Sequence, residues 1–260
     1  MWDVALPSAA EAALLIAAGV VAGAVNSVAG GGALITFPAL LATGLPSVTA
    51  NTSNHLSMCT GFVASVAGTW RDLDGQRSLV RRLAPTAVVG TLIGAALLLL
   101  TPPGVFDVLV PILVLLASGV LACQDRLLAM VGDPRRLARG SRMLGLQALT
   151  FVCAIYGGYF GGALGVVLMA ALALVLDERL PRIGALKNAL LAVVGLVAAT
   201  AYGLFGPISW GSVLVLAPAT MAGGYFGAVL SRRLPPVVMR QMVAGLGVTI
   251  SVFLGTRAVV

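Results

Sequence analysis

Apolar runs long enough to cross a bilayer recur along this 260-residue chain, near residues 9–29, 47–69, 83–100, 105–123, 143–160, 184–206, 211–231 and 237–256. A spanning helix needs about 20 predominantly apolar residues. Lipid offers the backbone no hydrogen-bond partners, so such runs must close their own bonds as helices unless they form a barrel. The period-two alternation of a barrel strand is absent from them. Only 10% of the residues are charged and 59% are hydrophobic, against about 25% charged in a soluble domain, and the mean hydropathy is +1.04. No soluble domain fits between the runs. The expectation is an all-α polytopic protein, multi-pass in the cell (inner) membrane, with the lipid bilayer as its first partner. The first run is not expected to be a cleaved signal peptide. Such a peptide opens with basic residues, and the first Lys or Arg here is Arg71.

The net charge of +7 would suit a nucleic-acid partner, but the positions of the charges exclude one. Arg71, Arg77, Arg81 and Arg82 fall in one loop, and Arg126, Arg135, Arg136, Arg139 and Arg142 in another. Arg179, Arg182 and Lys187 form a third group, and Arg232, Arg233 and Arg240 a fourth. The connections "LTPPG" (100–104) and "FGPISWGS" (205–212) carry none. Short cytoplasmic loops are enriched in Lys and Arg, so the four basic groups mark the cytoplasmic face. Cys59, Cys123 and Cys153 stand singly in apolar segments. Their odd number and their spacing suit neither a disulfide framework nor a metal site, and they read as packing residues.

The chain also matches itself. An offset of 135 pairs Gly23 with Gly158, Gly30 with Gly165, Leu45-Pro46 with Leu180-Pro181, and Ala50 with Ala185. An offset of 133 then pairs Pro85 with Pro218, Gly90 with Gly223, Gly94-Ala95 with Gly227-Ala228, and Pro102-Pro103 with Pro235-Pro236. Glycines coincide by chance; three ordered proline matches do not. The basic loop 70–82 pairs with the uncharged 205–212, and the uncharged 101–104 with the basic 232–236. Equivalent loops therefore face opposite sides, as in transporters built from inverted repeats. The expected architecture is two inverted-topology repeats, each a Gly-broken helical hairpin followed by three transmembrane helices. Residues 1–123 form the first repeat, 124–142 a basic cytoplasmic linker, and 143–260 the second repeat.

Inversion requires each hairpin to enter and leave on one side. The turns fall at "AGGGA" (29–33) and within "GGYFGGALG" (157–165). The second arms, 32–45 and 162–176, are short for full spans and favour re-entrant helices, although two full spans per hairpin satisfy the same parity. A half-helix that starts at such a turn presents unpaired N–H groups and the positive end of its dipole. These bind anions. Gly30, Gly31 and Gly32 open one half-helix; Gly161, Gly162 and Gly165 open the other; Asn26 and Ser27 line the same cavity. Close helix packing through small residues is the alternative, and the better reading for Gly90, Gly94, Gly223 and Gly227.

A second polar cluster is "TANTSNHL" (49–56), where Asn51, Asn54, His55 and Met58 share one helical face. Intramembrane polar groups usually face a bundle interior or a wet path; a helix cap at Ser47 or Thr49 is the alternative. His55, the lone histidine, can carry a coupling proton. The repeat sets Lys187 and Asn188 at the matching place. Lys187 is either a counter-charge for an anion or a lysine snorkelling to the cytoplasm.

The stretch "GAVNSVAGGGALITFPALLATGLPSVTANTS", with its three-glycine run, Pro38, and Ala50 to Ser53, resembles the sulfite exporter TauE/SafE family, also called the TSUP permeases. A degenerate second copy reads "GGYFGGALGVVLM" and "LPRIGALKN". It lacks the full glycine run and carries Lys187 in place of a threonine. The resemblance extends over essentially the whole chain. It implies transport of sulfite, sulfonates or other organosulfur or small organic anions; spacing alone reaches only "small anion". No catalytic constellation or nucleotide motif appears, so an integral membrane enzyme is disfavoured and no cofactor or metal is expected. The remaining alternative is an anion channel. A homo-oligomer is compatible with all of this.

Overall fold

The computed structural model describes residues 6–123, 126 and 139–230. Most of the 124–142 linker lies outside these residues. So do the 237–256 run, the 232–236 loop and the Pro235-Pro236 match. Nine α-helices are described: α1 (Ala9–Val28), α2 (Ala33–Ala42), α3 (Ser47–Thr69), α4 (Arg77–Leu100), α5 (Pro103–Ala122), α6 (Arg139–Tyr159), α7 (Leu164–Val175), α8 (Leu180–Phe205) and α9 (Trp210–Leu230). A short 3-10 helix, Trp70–Leu73, follows α3.

Local chemistry sets the ends. Ser8 and Glu11 form a reciprocal capping box at the start of α1, satisfying two of the donors a helix N-terminus leaves open. α2 runs into Thr43 and Gly44, the latter at φ +82°. Pro103 and Pro181 sit in the first turns of α5 and α8, where a missing N–H costs nothing. α3 starts after Pro46 with no side-chain cap, which removes the expectation that Ser47 or Thr49 caps it.

Among the described residues, five helices are long and apolar enough to cross a membrane: α1, α4, α5, α8 and α9, the last over Trp210–Val229. They account for five of the eight expected runs. Two further runs, 47–69 and 143–160, correct that expectation in part. α3 and α6 have spanning length, with 23 and 21 residues. They fall short in apolarity because α3 carries six polar residues between Asn51 and Ser57 and α6 opens with Arg139 and Arg142. The second arms are short. α2 has 10 residues and α7 has 12, roughly 15 and 18 Å of helix against a hydrocarbon core of about 30 Å.

Glycine seams hold the bundle together. In lipid, helices associate by close backbone packing rather than by expelling water. Gly23 of α1 faces the main chain of Gly223 and Gly224 on α9, and Gly223 and Gly227 face Val20 and Ala24 in return. Gly90 and Gly94 of α4 lie against the carbonyls of Phe151 and Ile155 on α6, and Gly158 against that of Thr91. A third seam joins α3 to α9 at Gly61 and Gly224, bonded by Thr60 Oγ1 to Ala217 O (2.7 Å) and Thr220 Oγ1 to Ser57 O (2.5 Å). The small-residue packing expected of Gly90, Gly94, Gly223 and Gly227 is what these positions do.

Two connections are tied across the fold. Arg182 donates to Asp74 O at 2.9 Å, bringing the basic loop after α3 beside the start of α8. The N–H of Ser209 donates to Ser53 Oγ at 3.0 Å, setting the uncharged α8–α9 connection beside the first half of α3.

Candidate functional site

Each hairpin turns by the same device. At the end of α1, Val25 O accepts from the N–H groups of Ala29 (2.7 Å) and Gly30 (3.2 Å). Gly30 then takes φ +91°, a left-handed conformation open chiefly to glycine, and α2 begins. At the end of α6, Tyr156 O accepts from Phe160 (3.0 Å) and Gly161 (3.1 Å), and Gly161 takes φ +74°. By hydrogen bonding, then, Gly30 corresponds to Gly161. The match of Gly30 with Gly165 drawn from the sequence is one helical turn away. A shift of four residues keeps the same helical face, so repeated glycines and alanines read alike in either register.

Gly30 and Gly165 meet instead in space. The N–H of Gly165 donates to Gly30 O at 3.2 Å, and a Cβ on Gly30 would stand 2.5 Å from the Gly165 backbone. Around this contact Phe37 packs edge-on against Phe160, with ring centroids 5.5 Å apart. The hairpin tips interlock.

The first tip gathers donors. No carbonyl among the described residues accepts the N–H groups of Gly31, Gly32 or Ala33. Gly32 packs on α1, where its Cβ would meet Ala22 O and, at 2.8 Å, Asn26 Cβ. Asn26 is 4% exposed, and its Nδ2 has no partner. Lys187 comes to the same residue from α8: its Nζ lies 3.2 Å from Asn26 O and 3.3 Å from Ser27 O. These are end-of-helix carbonyls of α1, which lack intrahelical donors and carry the negative end of the dipole. Lys187 is 1% exposed. It therefore does not snorkel; it caps α1 from inside the protein. Ser27 turns its hydroxyl to Ala24 O (2.9 Å).

The second tip is built differently. Asn51 Nδ2 donates to Tyr159 O at 3.0 Å and leaves its Oδ1 buried without a partner. His55 stacks beside Tyr202 at 5.3 Å, and its Cε1 would touch a Cβ on Gly161 at 3.1 Å. Its Nε2 is buried and unpartnered. Gly162 lies against the Phe160 ring, and its carbonyl accepts from Tyr156 Oη at 2.6 Å. Asn54 takes the Thr36 hydroxyl at 2.5 Å, pinning α2 to α3. Met58 completes the buried face.

The expected residues thus form two clusters rather than one. Asn26, Ser27, Gly30, Gly31, Gly32 and Lys187 meet at the first tip; Asn51, His55, Gly161 and Gly162 meet at the second. Gly165 joins them. His55 lies level with Tyr202, fifteen residues along α8 from Lys187, roughly 22 Å of helix. Asn188 belongs to neither: its Nδ2 points to Thr69 Oγ1 at 3.5 Å, at the far end of α3. A cavity of about 650 Å³ between α3, α8 and α9 is apolar and contains none of these residues.

Sequence reasoning missed Tyr156 and Tyr202, whose hydroxyls donate to turn carbonyls, the latter to Gly158 O. Tyrosines in spans usually sit at the membrane surface. Each stands three residues before the end of its helix, where a surface tyrosine is equally expected, so the sequence carried no signal for this role.

The family model described as "Sulfite exporter TauE/SafE" matches residues 15–254. A "Probable membrane transporter protein" of Haemophilus influenzae is 27% identical over 232 residues, 89% of each chain. The "Probable membrane transporter protein YfcA" of Escherichia coli K12 is 27% identical over 219 residues, covering 82% of this chain and 76% of that one. A "Probable membrane transporter protein ORF9" of Sinorhizobium is 28% identical over 155 residues, 59% of this chain and 57% of its own length. No solved structure matches the chain.

Proposed function

The chain belongs to the sulfite exporter TauE/SafE family of multi-pass membrane transporters, and from that premise we propose that it is a secondary carrier for a small anion. Sulfite, a sulfonate or a related organic anion is the substrate class. The observation that carries the reading is the charge balance around Lys187. Among the described residues, its buried ammonium touches neutral carbonyls alone, and no Asp or Glu is buried. A buried charge without a counter-ion costs several kcal/mol. An anion seated at the α2 N-terminus, between Lys187 and the free Asn26 Nδ2, supplies the missing charge.

In this reading Asn26, Ser27, Gly30, Gly31, Gly32 and Lys187 form the substrate cradle. Asn51, Asn54, His55, Gly161, Gly162 and Gly165 form the opposing tip, with His55 as the seat of a coupling proton. Asn188 is dropped from the cradle because it faces Thr69. The halves, 1–123 and 143–260 about a basic cytoplasmic linker, are inverted repeats, and the hairpins are re-entrant. Paired contacts support the duplication: Gly223 on Val20 answers Gly90 on Phe151, and Gly227 on Ala24 answers Gly94 on Ile155. The lengths of α2 and α7 favour re-entry over two full spans.

Counterflow in proteoliposomes tests the proposal. Vesicles preloaded with unlabelled methanesulfonate should take up labelled sulfite faster than empty ones, and uptake should saturate. Uptake indifferent to the internal anion but following voltage would make the protein a channel instead.

A further inference from the structure

Resting on that reading of the first tip, we infer that the site takes its anion as a singly charged species and discriminates against dianions. The inference comes from counting buried charge. Lys187 brings one positive charge to the cradle, and its remaining partners are the carbonyls of Asn26 and Ser27. The other polar groups at this tip, Asn26 Nδ2 and the N–H groups of Gly31, Gly32 and Ala33, are neutral donors. They orient an oxyanion without neutralising a second charge. His55, the other buried side chain able to become a cation among the described residues, sits beside Tyr202, separated from Lys187 by fifteen residues of α8, roughly 22 Å of helix. The cationic arginines of the 70–82 and 176–182 loops lie at the surface, where water screens them.

A monoanion therefore leaves the buried cradle neutral, whereas a dianion leaves one uncompensated charge in a poorly polarisable interior. The free protein also carries one uncompensated charge, of opposite sign. Only the singly charged complex removes that burden, so binding is strongest for a charge of minus one and falls for charges of zero and minus two. Sulfonates, hydrogen sulfite and monocarboxylates meet this condition. Sulfate and fully ionised sulfite do not.

Three tetrahedral probes of similar size separate the charge states: dimethyl sulfone, methanesulfonate and sulfate. Each is titrated by calorimetry into the purified full chain at one pH and constant ionic strength. Methanesulfonate is expected to bind at least about tenfold more tightly than sulfate or dimethyl sulfone. In Lys187→Met the optimum should move by one charge, so that dimethyl sulfone equals or exceeds methanesulfonate. That shift sets the Lys187 effect apart from the generally greater hydration of a dianion. Lys187→Arg should keep the original order. Should Lys187→Met not fold, the neutral Lys187→Gln makes the same comparison. Sulfate binding as tightly as methanesulfonate overturns the monoanion preference and leaves the anion site standing. Binding of neither anion overturns the anion site itself, and the preference with it.

Discussion

The N–H of Gly165 donates to the carbonyl of Gly30 at 3.2 Å, so the two hairpin tips are joined main chain to main chain. Neither residue can carry a side chain without displacing the other: a Cβ on either would lie 2.5 Å from its partner's Cα. Gly30 has a second constraint in its φ of +91°.

The three glycines of the first tip are therefore unequal. Gly30→Ala should destabilise the protein by about 2–4 kcal/mol, combining a left-handed alanine with overpacking. Gly31→Ala first meets the movable side chain of Leu121, at 2.8 Å, and should cost about 1 kcal/mol or less. Thermal unfolding in detergent measures both. Equal losses would contradict the interlocked geometry.

Lys187→Met removes two hydrogen bonds from α1 and also one buried charge. The orphaned carbonyls cost about 1–3 kcal/mol, and the relieved desolvation is of similar size and opposite sign. Thermal stability should stay within about 5 °C of wild type, while counterflow is lost. A large drop in melting temperature with transport retained would make Lys187 a helix cap and nothing more.

His55→Gln keeps a polar side chain beside Gly161 and removes the proton carrier. Uptake driven by an imposed proton gradient should fall by an order of magnitude or more, the scale expected when a proton-carrying group is lost. Anion counterflow without a gradient should persist. Gradient-driven uptake at the wild-type rate would exclude His55 from coupling.

Single cysteines introduced in a background with Cys59, Cys123 and Cys153 replaced report sidedness. Asp74→Cys should react only from the cytoplasm, and Gly206→Cys only from outside. The Arg182–Asp74 bond predicts that a cysteine at Asp177 behaves like one at Asp74. Labelling of positions 74 and 206 from the same side would undo the inverted scheme.

The hairpins were legible in the sequence because three consecutive glycines have few uses within a span, and the polar face of α3 because burial makes such residues expensive. The register between the halves was not. Glycine and alanine repeat every helical turn, and only hydrogen bonds at the tips separate Gly161 from Gly165 as the counterpart of Gly30. The partner of Lys187 was equally hidden, since carbonyl capping places no demand on which side chains Asn26 and Ser27 bear. The separation of His55 from Lys187 follows from the antiparallel run of α3 and α8, seen in the His55–Tyr202 and Asn188–Thr69 contacts. One residue list carries no sign of it.

The glycine seams also bear on how such a molecule changes shape. Where one helix's carbonyls rest in the other's missing side chains, sliding would lift backbone over backbone. α1 and α3 with α9, and α4 with α6, are thus ratcheted together as two stiff beams. Each beam joins a long hairpin arm from one half of the chain to a span from the other. A swing of one beam against the other would fall on what lies between them: α8, the short arms α2 and α7, and the contact of Gly30 with Gly165. The point where the two hairpin tips interlock would in this way also serve as a fulcrum.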